Sequence, residues 1–247
     1  MSVHPSVLRG FGSAAESYES ARPDYPADGV AWLVERLGLG PGRTVVDLAA
    51  GTGKLTRMLV PTGANVLAVE PVAAMRAQLE RTVPEVRALA GRAERIPLAE
   101  ASADAFTVAQ AFHWFASPEA LGEIARVLRP GGGLGLIWNM RDEADGLQRR
   151  LSELVEPLRG SEQTHVGEGW RSVVDAYPRF GPVEEESFRH EQVLDADGVA
   201  ERVRSISFVA VLPPERQEEV LARAREIAGP GEVVLPHETK AFVTRLL

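Results

Sequence analysis

The stretch VVDLAAGTGKLT, Val45 to Thr56, decides the fold. It continues an apolar run, Thr44–Leu48, that has the composition of a short buried strand. Five small residues follow, Ala49 to Gly53, and Lys54–Val60 then reads as a helix. Small residues let a backbone approach a ligand closely, and a helix N-terminus offers unpaired N–H groups. Ligands of open α/β sheets sit at the carboxyl ends of the strands. A tight turn that merely packs helix on strand is the plainer alternative; the spacing favours a ligand loop.

Working outward, the same rhythm repeats. Upstream, Asp28–Leu37 reads as a helix with Asp28 as cap and Gly38 as its end, and Gly40-Pro41-Gly42 is a turn. Downstream, strands are expected at Asn65–Val69, Glu85–Leu89, Ala105–Ala109 and Leu134–Trp138, with helices at Val72–Arg81 and Pro118–Leu128 between them. Ser117 and Pro118 start the second of these helices, and Arg129-Pro130-Gly131-Gly132 reads as a stop. Strands alternating with helices mean βαβ units around a parallel sheet. After Asn139 the rhythm changes. Helices are expected at 147–158, Trp170–Tyr177, Asp197–Ser205 and Pro214–Ala228, and strands at Val183–Val193 and His237–Leu247.

The loop limits its own ligand. A Walker-type phosphate loop needs glycine where Leu48 stands and Ser or Thr where Leu55 stands, so it is excluded. A dinucleotide fingerprint fits Gly51 and Gly53 but meets Thr56 at its third glycine. Asp47 would set an anion beside a pyrophosphate, and like charges about 4–6 Å apart repel strongly in a partly dry site. A cationic, phosphate-free nucleoside suits that carboxylate better. Glu70 ends NVLAVEP, 23 residues after Asp47, where such folds place the acid that accepts a ribose diol.

Composition narrows the field further. The 247 residues carry 27 Lys+Arg against 35 Asp+Glu, a net charge of −8, so nucleic acid is not an expected main partner. Cysteine is absent, which removes disulfides, a thiolate nucleophile and Cys-ligated zinc. No apolar run of about 18 residues marks a membrane span. No secretory signal is visible in MSVHPSVLRGFGSAAES. A cytoplasmic protein with a small-molecule partner is the expectation, and no metal site is expected from the scattered histidines His4, His165, His190 and His237.

These motifs carry a resemblance. The chain resembles a class I S-adenosylmethionine-dependent methyltransferase through VVDLAAGTGKLT, VLAVEPVAAMRAQL, GRAERIPL, DAFTVAQAFHWF and RVLRPGGGLGLIWN, in that order across residues 45–139. The leader FGSAAESYESARPDYP is similar to that of the bacterial small-molecule, trans-aconitate-type branch. The implied fold is a Rossmann-like, doubly wound α/β sheet of seven mostly parallel strands, the last antiparallel, with a helical cover in the C-terminal third. Five strands follow from the alternation, and the sixth and seventh mainly from the resemblance. One domain over 1–247 is expected: leader and helix 1–42, donor-binding core 43–141, cover helices and closing strands 142–247.

The resemblance also implies roles around S-adenosylmethionine and its product S-adenosylhomocysteine. Asp47 would sit by the donor's amine, Ala49 and Gly51 would approach its backbone, and Glu70 would accept both ribose hydroxyls. Pro71 and Met75 would pack on the adenine, and Ala93 and Glu94 would hold its amino edge. Gln110 would flank the methionine part, and Tyr18 and Arg22 of the leader would close over the donor's carboxylate. Ala49 stands where many relatives have glycine, a change of little weight unless φ there is positive.

Methyl transfer is an in-line displacement on an already activated sulfonium, so the protein mainly places the reactants and excludes water. A base is needed only for an acceptor whose proton is held tightly. His113, in AFHWF just past the fourth strand, is the candidate, either as that base or as a positioning residue. The acceptor atom, O, N or C, is not legible. Two other readings stay open: a methyltransferase-like fold using S-adenosylmethionine for different chemistry, and a nicotinamide-dependent oxidoreductase, disfavoured by Asp47 and Thr56.

Overall fold

Two glycines show why the first helix packs where it does. A Cβ on Gly133 would meet Leu37 at 2.6 Å, and one on Gly135 would meet Leu37 at 2.9 Å and Leu33 at 3.1 Å. Helix α1 (Ala27–Leu37) therefore lies directly on strand β5 (Leu128–Arg141), with Val30, Leu33 and Leu37 buried at i, i+3, i+7 spacing. Gly38 ends α1 in the left-handed conformation, as a C-terminal glycine should. Asp28 does not cap it. Pro26 holds the cap position, and Asp28, in the first turn, accepts a hydrogen bond from the Gly29 N–H at 2.9 Å.

The computed structural model describes Glu19, residues 21–159 and residues 169–247. The chain divides into two compact units. A sheet unit comprises the described residues of 25–138, 164–188 and 239–247, and a helical unit those of 1–24, 139–163 and 189–238.

In the sheet unit the alternation read from the sequence appears as β1 (Thr44–Leu48), α2 (Lys54–Leu59), β2 (Asn65–Val69), α3 (Ala73–Thr82), β3 (Arg87–Leu89), β4 (Ala103–Ala109), α4 (Pro118–Val127) and β5. After α6 (Gly169–Asp175), β6 (Glu184–Leu194) and β7 (Val233–Arg245) complete a seven-stranded sheet of order β3-β2-β1-β4-β5-β7-β6. Strand β1 runs parallel to β2 and β4, and β4 parallel to β5. Strand β7 is antiparallel: the Leu246 N–H donates to the Gly132 carbonyl at 2.8 Å, and Leu246 bridges Phe180 in the antiparallel sense. This is the Rossmann-like, doubly wound α/β sheet expected. The strand order reverses between β1 and β4, and ligands of such sheets bind at that switch.

The stop signal Arg129–Gly132 lies inside β5 rather than before it. The pairing with β4 jumps from Ala103↔Leu128 to Ala105↔Gly133, so the Pro-Gly segment is absorbed as a bulge. Leu33, Leu37, Val45, Leu55, Leu59, Leu79 and Ile137 form the core of this unit, each fully buried large side chain contributing roughly 1.5–3 kcal/mol. A second patch is aromatic. Trp138 stacks on Trp170 at 5.1 Å, and Phe242 meets both edge-on. Trp170 is thus a core residue.

The helical unit has its own core. Leu151 and Val155 of α5 (Gly146–Val155) pack with Val199 and Val203 of α7 (Ala196–Arg204), Phe208 and Val209 of α8 (Ser207–Ala210) and Val220, Leu221 and Ala224 of α9 (Pro214–Ala228). Asp145 caps α5 through the Leu147 and Gln148 N–H groups, and Asp195 caps α7 through that of Gly198. Helix α8 has no counterpart in the sequence reading, since four residues are too few to show a helical period.

Candidate functional site

Two buried carboxylates, Asp47 and Glu70, meet at the loop after β1 without an ion pair. Asp47, at 0% exposure, lies opposite Thr107 in the β1–β4 register. Its Oδ1 accepts from the Thr107 hydroxyl at 3.0 Å and its Oδ2 from the Thr56 hydroxyl at 2.6 Å. Burial pushes its pKa up to about 6 against the pull of the two hydroxyls, and the charge of Glu70 adds to the rise. Glu70, also buried, accepts from the Gly51 N–H at 3.0 Å through Oε2 and from the Val72 N–H at 2.8 Å through Oε1. Burial raises its pKa as well, against those two N–H groups and the charge of Arg76.

Asp104, equally buried at the opposite end of β4, makes the contrast plain. Burial alone would raise its pKa, yet the Thr44 N–H and the guanidiniums of Arg129 (2.6 Å) and Arg43 (3.2 Å) outweigh it and bring the pKa down. A carboxylate that serves the fold has its cations built in. Among the described residues, Asp47 and Glu70 have none within ion-pair distance.

The backbone around them is strained. Ala49 has φ 57° and Gln110 φ 56°, each in the left-handed region that L-residues with side chains avoid. The expectation that Ala49 is an easy replacement for glycine is therefore corrected: its φ is positive, at a cost of about 1–2 kcal/mol. These two residues follow the ends of β1 and β4, on either side of the switch. Gly51 is also left-handed, and a Cβ there would meet nothing within 4 Å, whereas one on Gly53 would meet Leu79 and Val83 at 3.0 and 3.1 Å. Gly51 thus faces open space, and Gly53 serves packing against α3.

The remaining expected residues are distributed as follows. Pro71 follows Glu70, and Met75 is buried on α3. Ala93 and Glu94 form the tip of a turn closed by Arg92 and Arg95. That turn is anchored by Glu123, which accepts from the Ile96 N–H, and by Arg126, which donates to the Ile96 and Leu98 carbonyls. All of these belong to the sheet unit. Arg22 belongs to the helical unit, where Nε donates to the Ser205 hydroxyl at 2.8 Å and an Nη to the Ser205 carbonyl at 2.9 Å. Tyr18, His4 and His165 lie outside the described residues.

His113 sits in a single 3₁₀ turn, Phe112–Trp114, past β4. The indole N–H of fully buried Trp138 donates to its Nδ1 at 3.3 Å. That bond requires the Nδ1 lone pair, so the neutral ring carries its proton on Nε2 and offers a donor there.

Several functional-looking groups escaped the sequence reading. Thr56 was visible only as a failed third glycine, and Thr107 only as a polar residue in a buried strand. Arg76, which donates to the Glu70 and Pro71 carbonyls at 2.7 and 2.9 Å, had no signal beyond its place on a helix. Among the described residues no group of acids and histidines could hold a metal ion, and no helix is long and apolar enough to cross a membrane.

Comparison with known proteins adds three findings. The profile of the family described as "Methyltransferase domain" matches residues 46–136. An uncharacterized methyltransferase of Mycobacterium tuberculosis is 40% identical over 217 residues, covering 88% of this chain and 84% of its own length. Among solved structures, one from Anaeromyxobacter dehalogenans, provisionally titled a type II methyltransferase, superposes with a TM-score of 0.67 at 28% identity over 91% of this chain and 96% of its own. A Haemonchus contortus phosphoethanolamine N-methyltransferase solved with S-adenosylhomocysteine shares the fold, with a TM-score of 0.61 at 17% identity over 100% of this chain and 60% of its own.

Proposed function

The chain belongs to the methyltransferase family, and from that premise we propose that it moves a methyl group from S-adenosyl-L-methionine to a small-molecule acceptor. One observation carries this reading: Asp47 and Glu70, two buried carboxylates without an ion pair, flank a strained, small-residue loop at the sheet's switch point. A ligand with a positive charge and no phosphate relieves both. The donor supplies an activated methyl on a sulfonium, together with an ammonium and a ribose diol, which matches that demand.

This chain's residues then bind and orient. Asp47, held by two threonine hydroxyls, takes the amine. Glu70 retains lone pairs beyond the two it gives to Gly51 and Val72, and these accept the ribose hydroxyls. Ala49 and Gly51 carry the backbone that approaches the donor, and Gln110 flanks its methionine part. Pro71, Met75, Ala93 and Glu94 form the adenine subsite. His113 is better suited to positioning than to base catalysis, because its Nδ1 lone pair is engaged by the Trp138 indole N–H. It would orient an acceptor by donating a hydrogen bond.

Calorimetry with S-adenosylhomocysteine, NAD and NADP tests the donor assignment. One-to-one binding of S-adenosylhomocysteine and none of the nicotinamides is expected; the reverse would overturn it. Incubation of the protein with labelled methyl donor and a metabolite extract tests the transfer, with label expected in a small molecule.

A further inference from the structure

Strand β4 carries a threonine that its packing does not need. The strand reads ADAFTVA and is buried over its first six residues. Apart from Asp104 at its far end, Thr107 is its only polar side chain, and it is fully buried. A strand covered on both faces ordinarily takes valine at such a place, which has the same shape and no hydroxyl to satisfy. The Thr107 hydroxyl donates to Asp47 Oδ1 at 3.0 Å. The parallel register sets Thr107 directly opposite Asp47, so the two side chains leave their strands on the same face.

Thr56 repeats the pattern from α2. A threonine hydroxyl in a helix commonly bonds to a carbonyl three or four residues back. That of Thr56, fully buried, donates instead to Asp47 Oδ2 at 2.6 Å. Two elements thus spend a buried hydroxyl each on one carboxylate, one to each oxygen. Each oxygen keeps a second lone pair for a further donor.

Two hydroxyl donors favour the ionised form, because a protonated carboxyl has fewer lone pairs to offer and its own proton to place. Burial works against them, and so does the charge of Glu70 at the end of β2; Thr56 and Thr107 pull the other way, and the balance stands at about 6. The other charged groups on the surrounding elements act elsewhere. Arg76 of α3 acts on Glu70, and Asp104 lies at the opposite end of β4 with Arg43 and Arg129. Lys54 of α2 forms no ion pair with Asp47. In the ligand-free sheet unit it is therefore hydroxyls, and no described cation, that hold Asp47 as an anion.

Resting on the reading of Asp47 as the partner of the donor's amine, we propose that Thr107 and Thr56 are positioning residues that keep the Asp47 carboxylate ionised and fixed toward that ammonium. They thereby make the site selective for a donor that carries an amino group. Valine at either place would leave the fold intact and the carboxylate prone to protonation.

The first test needs no donor. In the ligand-free full chain the side-chain carboxyl of Asp47, assigned by its absence in Asp47→Asn, is titrated by carbon NMR. The wild-type midpoint is expected near 6. Thr107→Val should raise it by at least about one pH unit, and Thr107→Ser, which restores the hydroxyl, should return it to the wild-type value. An unchanged midpoint in folded Thr107→Val would overturn the proposal. Thr56→Val should shift it in the same direction and decides by the same criterion should Thr107→Val not fold.

Calorimetry then reads the consequence for binding. For a one-unit shift, Thr107→Val should weaken S-adenosylhomocysteine about fivefold at pH 6 and less than about twofold at pH 8. The analogue of S-adenosylhomocysteine that lacks the amino group should bind the variant at least as tightly as wild type. A loss that is the same at both pH values, or equal for both ligands, marks a merely structural contact and overturns the proposal. Absence of S-adenosylhomocysteine binding to the wild type defeats the donor assignment, and the amine half of the proposal with it. The carboxyl midpoint still judges the two threonines in that case, so the two failures are read separately.

Discussion

In the sheet unit Asp47 and Glu70 are buried carboxylates outside ion-pair distance of any described cation, and in the helical unit Arg141 is a guanidinium whose one bond to a described residue goes to the neutral Ser152 hydroxyl. Each is a charge left uncompensated by the described residues of its own unit. The comparison with Asp104 shows that the chain can satisfy a buried acid when only structure is at stake: two arginines and a backbone N–H surround it. At Asp47 and Glu70 such partners are absent among the described residues, as the proposed donor site requires.

The largest effect that would sharpen this contrast concerns acid stability. His237 has a folded pKa of about 3 against 6.5 unfolded, so the unfolded chain binds the extra proton first. The stability due to the neutral ring is complete above about pH 6.5 and is lost as the pH falls toward 3, a total of roughly 5 kcal/mol. His237→Gln should flatten the urea midpoint between pH 6 and 4. An unchanged slope would show that burial of the neutral His237 ring does not set the acid stability of the protein.

Asp47 should behave in the opposite sense. Its folded pKa of about 6 lies above the ordinary 3.8, so its contribution is fully present below about pH 4 and is lost as the pH rises through 6. By pH 8 the ionised group costs the ligand-free protein about 3 kcal/mol. Asp47→Asn should therefore raise the melting temperature at pH 8 and leave it nearly unchanged at pH 4. Because the proposed donor favours the ionised form, wild-type affinity for S-adenosylhomocysteine should rise between pH 5 and 7. A flat affinity profile would separate Asp47 from the ligand.

Glu70→Ala removes the acceptor of two proposed ribose bonds, each worth roughly 1.5–3 kcal/mol before water replaces it. S-adenosylhomocysteine should bind at least tenfold more weakly by calorimetry. An unaltered dissociation constant in a folded variant refutes the ribose assignment. The smallest effect is expected at Ala49. Replacement by glycine relieves the left-handed φ but frees the unfolded chain, leaving a gain of about 0.5–1 kcal/mol, read from a denaturation curve.

His113 offers a kinetic refinement. If the Trp138 bond fixes a proton on Nε2, His113→Ala should raise the Michaelis constant of the acceptor more than it lowers turnover. A turnover loss of about a hundredfold with little change in that constant would restore the base role.

The sequence by itself determined the first five strands and the small-residue loop that follows the first of them. Thr44–Leu48 and Asn65–Val69 were legible to the residue because apolar runs bounded by glycine and acid are local signals. Asp47 and Glu70 were legible for the same reason, since their meaning depends on which strand they end. What surrounds them was not. Thr107 reaches Asp47 because β4 pairs with β1 in one particular register, 60 residues away in sequence. Trp138 fixes the His113 tautomer from a different strand. The positive φ of Ala49 turned an innocuous alanine into a strained one, and no side-chain pattern encodes a dihedral angle. Local patterning chose the elements; long-range pairing chose the partners of Asp47 and Asp104, because electrostatic energy depends on distance in space and burial, neither of which is written in the order of residues.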